Sequence, residues 1–141
     1  MDATLAALVR ERARSRCEYC RLPEVFSAIP FEIDHILAQK HGGPTHEENL
    51  ALSCFYCNSH KGPNIAGIDP ASGRIARLFH PRRDRWSRHF EWDGAALRGK
   101  TAIGRATIAV LSINDPDAIA VREALMEEGV FPGAGVHPDR G

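Results

Sequence analysis

Two cysteine pairs constrain this chain more than any other feature. Cys17-Glu-Tyr-Cys20 and Cys54-Phe-Tyr-Cys57 are both C-x2-C, and together they use all four cysteines of the 141 residues. Each such turn aims its two sulfurs at one point, so two of them close a tetrahedral thiolate shell of the kind Zn²⁺ favours. The 33 residues between the pairs exceed the usual zinc-ribbon gap. A sizeable insert must therefore leave the metal and return to it. Two disulfides are the competing reading, and they need an oxidising compartment. The first residues, MDATLAALVRERARSR, have neither the basic start nor the small-residue cleavage site of an export signal. A redox C-x-x-C explains one pair and gives no reason for a second. The expectation is a structural zinc on Cys17, Cys20, Cys54 and Cys57 in a cytoplasmic protein.

The insert alternates apolar and polar residues over Phe31-Glu32-Ile33-Asp34-His35-Ile36, which reads as a strand ended by His41-Gly42-Gly43-Pro44. Thr45-His46-Glu47-Glu48 has the form of a capping box. Asn49-Leu50-Ala51-Leu52-Ser53 reads as the return strand. Cys57-Asn58-Ser59-His60-Lys61 reads as a short helix stopped by Gly62-Pro63. The order is strand, long loop, strand, helix, with the cysteines at its base.

Those residues carry a resemblance. Asp34-His35-Ile36, Gly42-Gly43, Asn49-Leu50, Cys54-Phe-Tyr-Cys57-Asn58 and Lys61 follow in the order typical of the HNH endonuclease family, in its subgroup with a C-x2-C pair on each side. The resemblance covers residues 17–62, under half of the chain. It implies a ββα-metal core in which His35 is the general base and Asp34 and Asn58 hold a catalytic Mg²⁺ or Mn²⁺. In the same roles Asn49 holds the loop so that the His35 ring is aimed. Asn58 stands where the nominal motif has its final histidine, which keeps a ligand while changing its chemistry. The chemistry of the residues agrees with those roles. Histidine titrates near neutral pH, and a carboxylate with an amide oxygen makes a hard, incomplete oxygen shell. Strict strand alternation sends Asp34 and His35 to opposite faces, so one site uses both only where the strand twists or ends. His60, two residues past Asn58, points away on a helix; His41 and His46 read as exposed loop residues.

Composition narrows the class. With 43% hydrophobic and 26% charged residues the chain is an ordinary globular one of single-domain size, and no apolar run approaches a membrane span. Eighteen basic and eighteen acidic residues leave a net charge of zero, which taken alone argues against a polyanion partner. The distribution reverses that: residues 74–105 hold nine basic and three acidic side chains, and residues 106–141 two and six. Within the basic block, Arg74, Arg77, Arg82, Arg83, Arg85 and Arg88 alternate with Phe79, Trp86 and Phe90, a pattern suited to a nucleic-acid backbone. Lys61 joins them as a candidate phosphate contact. The aromatics are expected to form a second small core with the arginines on its wet face. Asp93-Gly94 marks a hairpin turn.

The reading is therefore an α+β single domain over 1–141. It comprises an N-terminal helix (1–16), a zinc-stapled HNH-like core (17–62), a basic aromatic hairpin (74–100), C-terminal helices (101–129) and a frayed tail (130–141). Its expected function is metal-dependent cleavage of DNA, with no membrane partner. The alternatives are a non-catalytic zinc-stapled DNA-binding module, or a nuclease acting on RNA or branched DNA. Nothing in the residues specifies an oligomeric state.

Overall fold

Asp2 opens the first helix, α1 (Ala3–Arg12), by accepting the Thr4 and Leu5 amides at 2.7 and 3.0 Å. This is the usual way a side-chain oxygen satisfies free N–H groups at a helix start. The computed structural model describes residues 1–133, so most of the expected tail, from 134 on, lies outside the described residues. After α1, Arg14 and Ser15 take left-handed backbone angles and turn the chain into the first cysteine pair. α1 is thus shorter than the expected helix, and it buries Val9 against the core.

The first cysteine turn docks on the strand that follows the insert. The Glu18 amide donates to the Leu52 carbonyl at 2.9 Å, and the Leu52 amide returns a bond to the Glu18 carboxylate at 2.8 Å. Strands β1 (Glu32–His35) and β2 (Leu50–Ser53) pair antiparallel, Asp34 opposite Ala51 and His35 opposite Leu50. All four β2 residues are buried. α2 (Phe55–Lys61) follows at once, capped by the Cys54 sulfur, which accepts the Cys57 amide at 3.4 Å. This ββα unit has the expected order of strands and helix. The capping box at Thr45 does not form. A 3₁₀ turn runs over Glu47–Asn49 with His46 as its cap, and Thr45 is engaged elsewhere.

Residues 66–100 depart from a single basic hairpin. β3 (Ala66–Ile68) pairs with β4 (Ile75–Arg77), so the start of the basic block folds back on the chain before it. A short helix, α3 (Trp86–His89), intervenes before β5 (Phe90–Asp93) and β6 (Ala96–Gly99) close the hairpin expected at Asp93-Gly94. Gly94 has φ +60° there, as a tight turn requires. The aromatics do not form a separate core: Phe79, Trp86 and Phe90 belong to one cluster with the cysteines, Leu50, Leu52 and Leu111.

Two helices complete the described chain. α4 (Ala102–Leu111), capped by Thr101, lies across β6, α2, β3 and β4. Gly104 is needed where α4 meets the end of α3, because a Cβ there would sit 2.1 Å from the His89 carbonyl oxygen. α5 (Pro116–Glu127) starts with the Asp115 cap and a first-turn proline. Its buried Arg122 donates to the carbonyls of Ala95 at 2.7 Å and Ile113 at 2.9 Å and lies over the Trp92 ring. Among the described residues no helix is long and apolar enough to cross a membrane.

The β3–β4 turn is anchored by Asp69, which is fully buried. Its carboxylate accepts the Arg105 guanidinium at 2.8 and 3.0 Å, the Ser72 hydroxyl and the Ala71 amide. The Arg105 hydrogen bonds hold the Asp69 carboxyl well below the usual carboxylate range. A depressed folded pKa stabilises above the unfolded value, near 3.9, and the benefit disappears as pH falls below it. Asp69→Ala is therefore expected to lower the melting temperature at pH 7, with the gap to wild type closing below about pH 4. Thermal melts across that range check it.

Candidate functional site

The four cysteine sulfurs lie within 4.8 Å of one another, all buried. Cys20 and Cys54 are separated by 3.8 Å, which is the edge of a tetrahedron with metal–sulfur bonds of about 2.3 Å. No disulfide is formed, since an S–S bond needs about 2.05 Å. The Cys20 and Cys57 amides point at the sulfurs of Cys17 and Cys54, at 3.5 and 3.4 Å, as the turns of a metal knuckle require. Sulfurs this close cannot all ionise unless a cation sits among them. Burial opposes ionisation of Cys17, but hydrogen bonds from the other three sulfurs pull it well below the usual thiol value. Cys54 and Cys57 are pushed up, first by their sulfur neighbours. Arg122 stands beside Cys20, Cys54 and Cys57 along a small cavity of about 210 Å³. The donor set fits a tetrahedral thiolate metal such as zinc.

Asp34 and His35 are the last two residues of β1. Asp34 turns inward and is 9% exposed. Its Oδ2 accepts from the Tyr19 hydroxyl at 3.2 Å and from Lys61 Nζ at 3.1 Å. Burial raises the Asp34 pKa, and Lys61 opposes that rise. His35 is half-buried on the other side, with Nε2 2.9 Å from the Thr45 hydroxyl.

α2 meets the inner side of β1 with two rungs three residues apart. Asn58 donates through Nδ2 to Glu32, and Lys61 bonds Asp34 and the His35 carbonyl, the latter at 3.3 Å. With its amide nitrogen committed to Glu32, Asn58 has its oxygen left as an acceptor. His60 turns its Nδ1 to the Tyr56 carbonyl at 2.8 Å, away from β1. Asn49 is buried and does not touch the His35 ring. Its amide bonds the Leu37 N–H and carbonyl and the Pro44 carbonyl, at 2.9, 3.0 and 2.9 Å. Asn49 thereby closes the loop that carries Thr45 to His35.

The cations expected on the surface divide. Lys61 is 2% exposed and spent on Asp34, so it presents no charge to solvent. Arg82 is largely enclosed in an ion pair with Glu18, its side chain 9% exposed, and desolvation lowers its pKa to about 10, which leaves it charged near neutrality. Arg77 is forked onto Asp84 at 2.7 and 2.9 Å. Arg74, Arg83, Arg85 and Arg88 are exposed. Arg83 lines a groove of about 620 Å³ together with Leu37, Pro44 and Asn49 of the loop.

Glu32, Thr45 and Tyr19 were not singled out by sequence reasoning. Glu32 lies two residues before Asp34 on the same strand face, a spacing that alone signals it. Thr45 and Tyr19 act across 10 and 15 residues, and nothing in their local pattern marks those partners. Chemically, the arrangement offers a histidine with one nitrogen anchored and, among the described residues, no hydrogen bond to the other. The same ββα unit carries a carboxylate, Asp34, and an amide oxygen, Asn58, donor types suited to a hard divalent cation.

Residues 17–64 match the family model for HNH endonuclease, and every residue of the resemblance lies inside that span. Over 119 residues the chain is 27% identical to the Septu protein PtuB of Bacillus thuringiensis. The match takes in 82% of this chain but 43% of that protein, so the chain spans under half the length of its curated relative. No solved structure matches it.

Asn49→Ala removes three loop bonds and strands three backbone groups, the Leu37 N–H and carbonyl and the Pro44 carbonyl. The expected cost is about 1–3 kcal/mol, with a loosened Thr45–His35 contact. Urea unfolding measures the first, and the His35 side-chain NMR signals report the second.

Proposed function

We propose that this chain is a metal-dependent endonuclease that hydrolyses phosphodiester bonds in DNA. The observation that supports the reading is the ββα unit itself, in which β1 ends at Asp34 and His35 and α2 brings Asn58 onto Glu32, two residues before Asp34 on that strand. In this mechanism Thr45 accepts from Nε2–H of His35. That fixes the tautomer whose basic lone pair is on Nδ1, free to take a proton from the attacking water. Asn49 supports this indirectly by holding the loop. Asp34 Oδ1 and the Asn58 oxygen would hold a Mg²⁺ or Mn²⁺ ion, which stabilises charge on the leaving oxygen when bound. Arg83, Arg85, Arg88 and Arg74 would contact phosphates, with Arg83 in the groove beside the loop. Arg82 and Lys61 serve the fold and the site.

The four cysteines would hold one structural zinc. Elemental analysis is expected to give about one zinc per chain. Cys54→Ala is expected to lose that zinc and the α2 cap together, seen as reduced helicity by circular dichroism. Full zinc retention in this variant would count against the assignment.

Plasmid nicking with Mg²⁺ or Mn²⁺ tests the activity. His35→Ala is expected to lower the rate about 10²–10⁴-fold. Equal cutting by both proteins removes the nuclease reading. Binding without any divalent-dependent cutting would leave a DNA-binding module, and preferential cutting of RNA or branched DNA would change the substrate.

A further inference from the structure

We infer that Tyr19 is a positioning residue for the site carboxylate: from inside the first cysteine turn its hydroxyl holds Oδ2 of Asp34, so that Oδ1 is presented to the catalytic ion. This rests on the nuclease reading above.

Three buried carboxylates occur among the described residues, and they provide the contrast. Both oxygens of Asp69 are used, Oδ1 by Ala71 and Arg105, and Oδ2 by Ser72 and Arg105. Both oxygens of Glu18 are used too, by Arg82 and the Leu52 amide. Such saturation is the rule for a buried carboxylate whose work is structural. Asp34 differs. Two donors, Tyr19 and Lys61, converge on Oδ2. Among the described residues Oδ1 accepts none, and it is not one of the polar atoms sealed from solvent without a partner. One oxygen is clamped and the other left open, which is how a ligating carboxylate is held by its supporting hydrogen bonds.

Tyr19 is fixed from several directions. It is 0% exposed and flanked by Cys17 and Cys20. Its carbonyl accepts Trp86 Nε1 at 2.9 Å, and its ring stands edge-on to Phe79. A phenol carries its proton throughout the neutral range, so the hydroxyl is a donor to the carboxylate. The hydroxyl's place is therefore set by the sulfur cluster and by the aromatic segment together. A phenylalanine would fill the same space without the bond.

The test uses the full-length, zinc-loaded chain and Tyr19→Phe. Mn²⁺ binding, read by electron paramagnetic resonance, is expected to weaken about tenfold, the low end for such supporting partners because Lys61 remains. The half-saturating Mn²⁺ for nicking should rise by the same factor, with kcat at saturating Mn²⁺, zinc content and melting temperature unchanged. Mn²⁺ bound as tightly as by wild type overturns the inference. So does a variant that loses zinc or unfolds, since the hydroxyl would then be serving the fold. His35→Ala separates the two claims: it should bind Mn²⁺ normally and fail to cut. If it cuts, the nuclease reading falls, while the Mn²⁺-binding result for Tyr19→Phe still stands.

Discussion

Everything else in this molecule is arranged around four sulfurs brought within 4.8 Å of one another. Two turns 33 residues apart in sequence are forced onto one point, and the elements between and after them inherit their positions. Cys54 is at once a sulfur of the cluster and the cap of α2, so the helix that presents Asn58 and Lys61 starts where the cluster ends. The two residues inside the first turn are equally committed. Glu18 pairs with β2 and anchors Arg82, while Tyr19 reaches Asp34. A C-x2-C turn here is a staple whose intervening side chains carry the strand pair and the basic segment as well as the metal shell.

Charge follows from the same arrangement. Any thiolate charge in a low-dielectric interior needs compensation, and Arg122 of α5 is a buried cation that lines one cavity with Cys20, Cys54 and Cys57. Burial lowers the Arg122 pKa and the neighbouring cysteines oppose that drop. The acidic C-terminal third thus sends its one described cation inward to the cluster. The basic middle third sends Arg82 to Glu18 and Arg105 to Asp69. A net charge of zero conceals this division of labour. Under the proposed function, the basic segment would leave Arg74, Arg83, Arg85, Arg88 and Lys100 for a polyanion, which implies modest and strongly salt-dependent affinity.

The parts legible in the sequence were those governed by local chemistry. The knuckle spacing, the strand alternation around Asp34, the Asp93-Gly94 turn and the Asp115-Pro116 helix start each depend on a few adjacent residues, and each appears where expected. The missed features depend on distant partners. Thr45 has the pattern of a helix cap, but the loop that Asn49 closes carries it to His35, and a longer-range bond displaces the local one. β3 has only three residues, too short for an alternation signal, and its turn is stabilised by Arg105 thirty-six positions away. Arg82 looked like surface charge because its counter-charge, Glu18, is 64 residues upstream. The aromatics were expected in a separate core because proximity to the cysteines is a property of the fold and not of the segment.

The hardest demand on the site is geometric. Adjacent strand residues face opposite ways, yet the phosphodiester cleavage proposed for this chain would ask a carboxylate and an imidazole to serve one reacting centre. Ending β1 at His35 would meet this, because the backbone beyond is no longer bound to alternate. The end is then secured from both sides. On the inner side, Lys61 ties the Asp34 carboxylate to the His35 carbonyl, so one buried ammonium fixes side chain and backbone together. On the outer side, Asn49 draws the loop in and Thr45 meets the ring. Neither side is rigid alone, since β1 and β2 share only four residue pairs and an isolated hairpin of that length is marginal. The rigidity comes from the sulfur cluster below it, through Tyr19 on one strand and Cys54 at the end of the other.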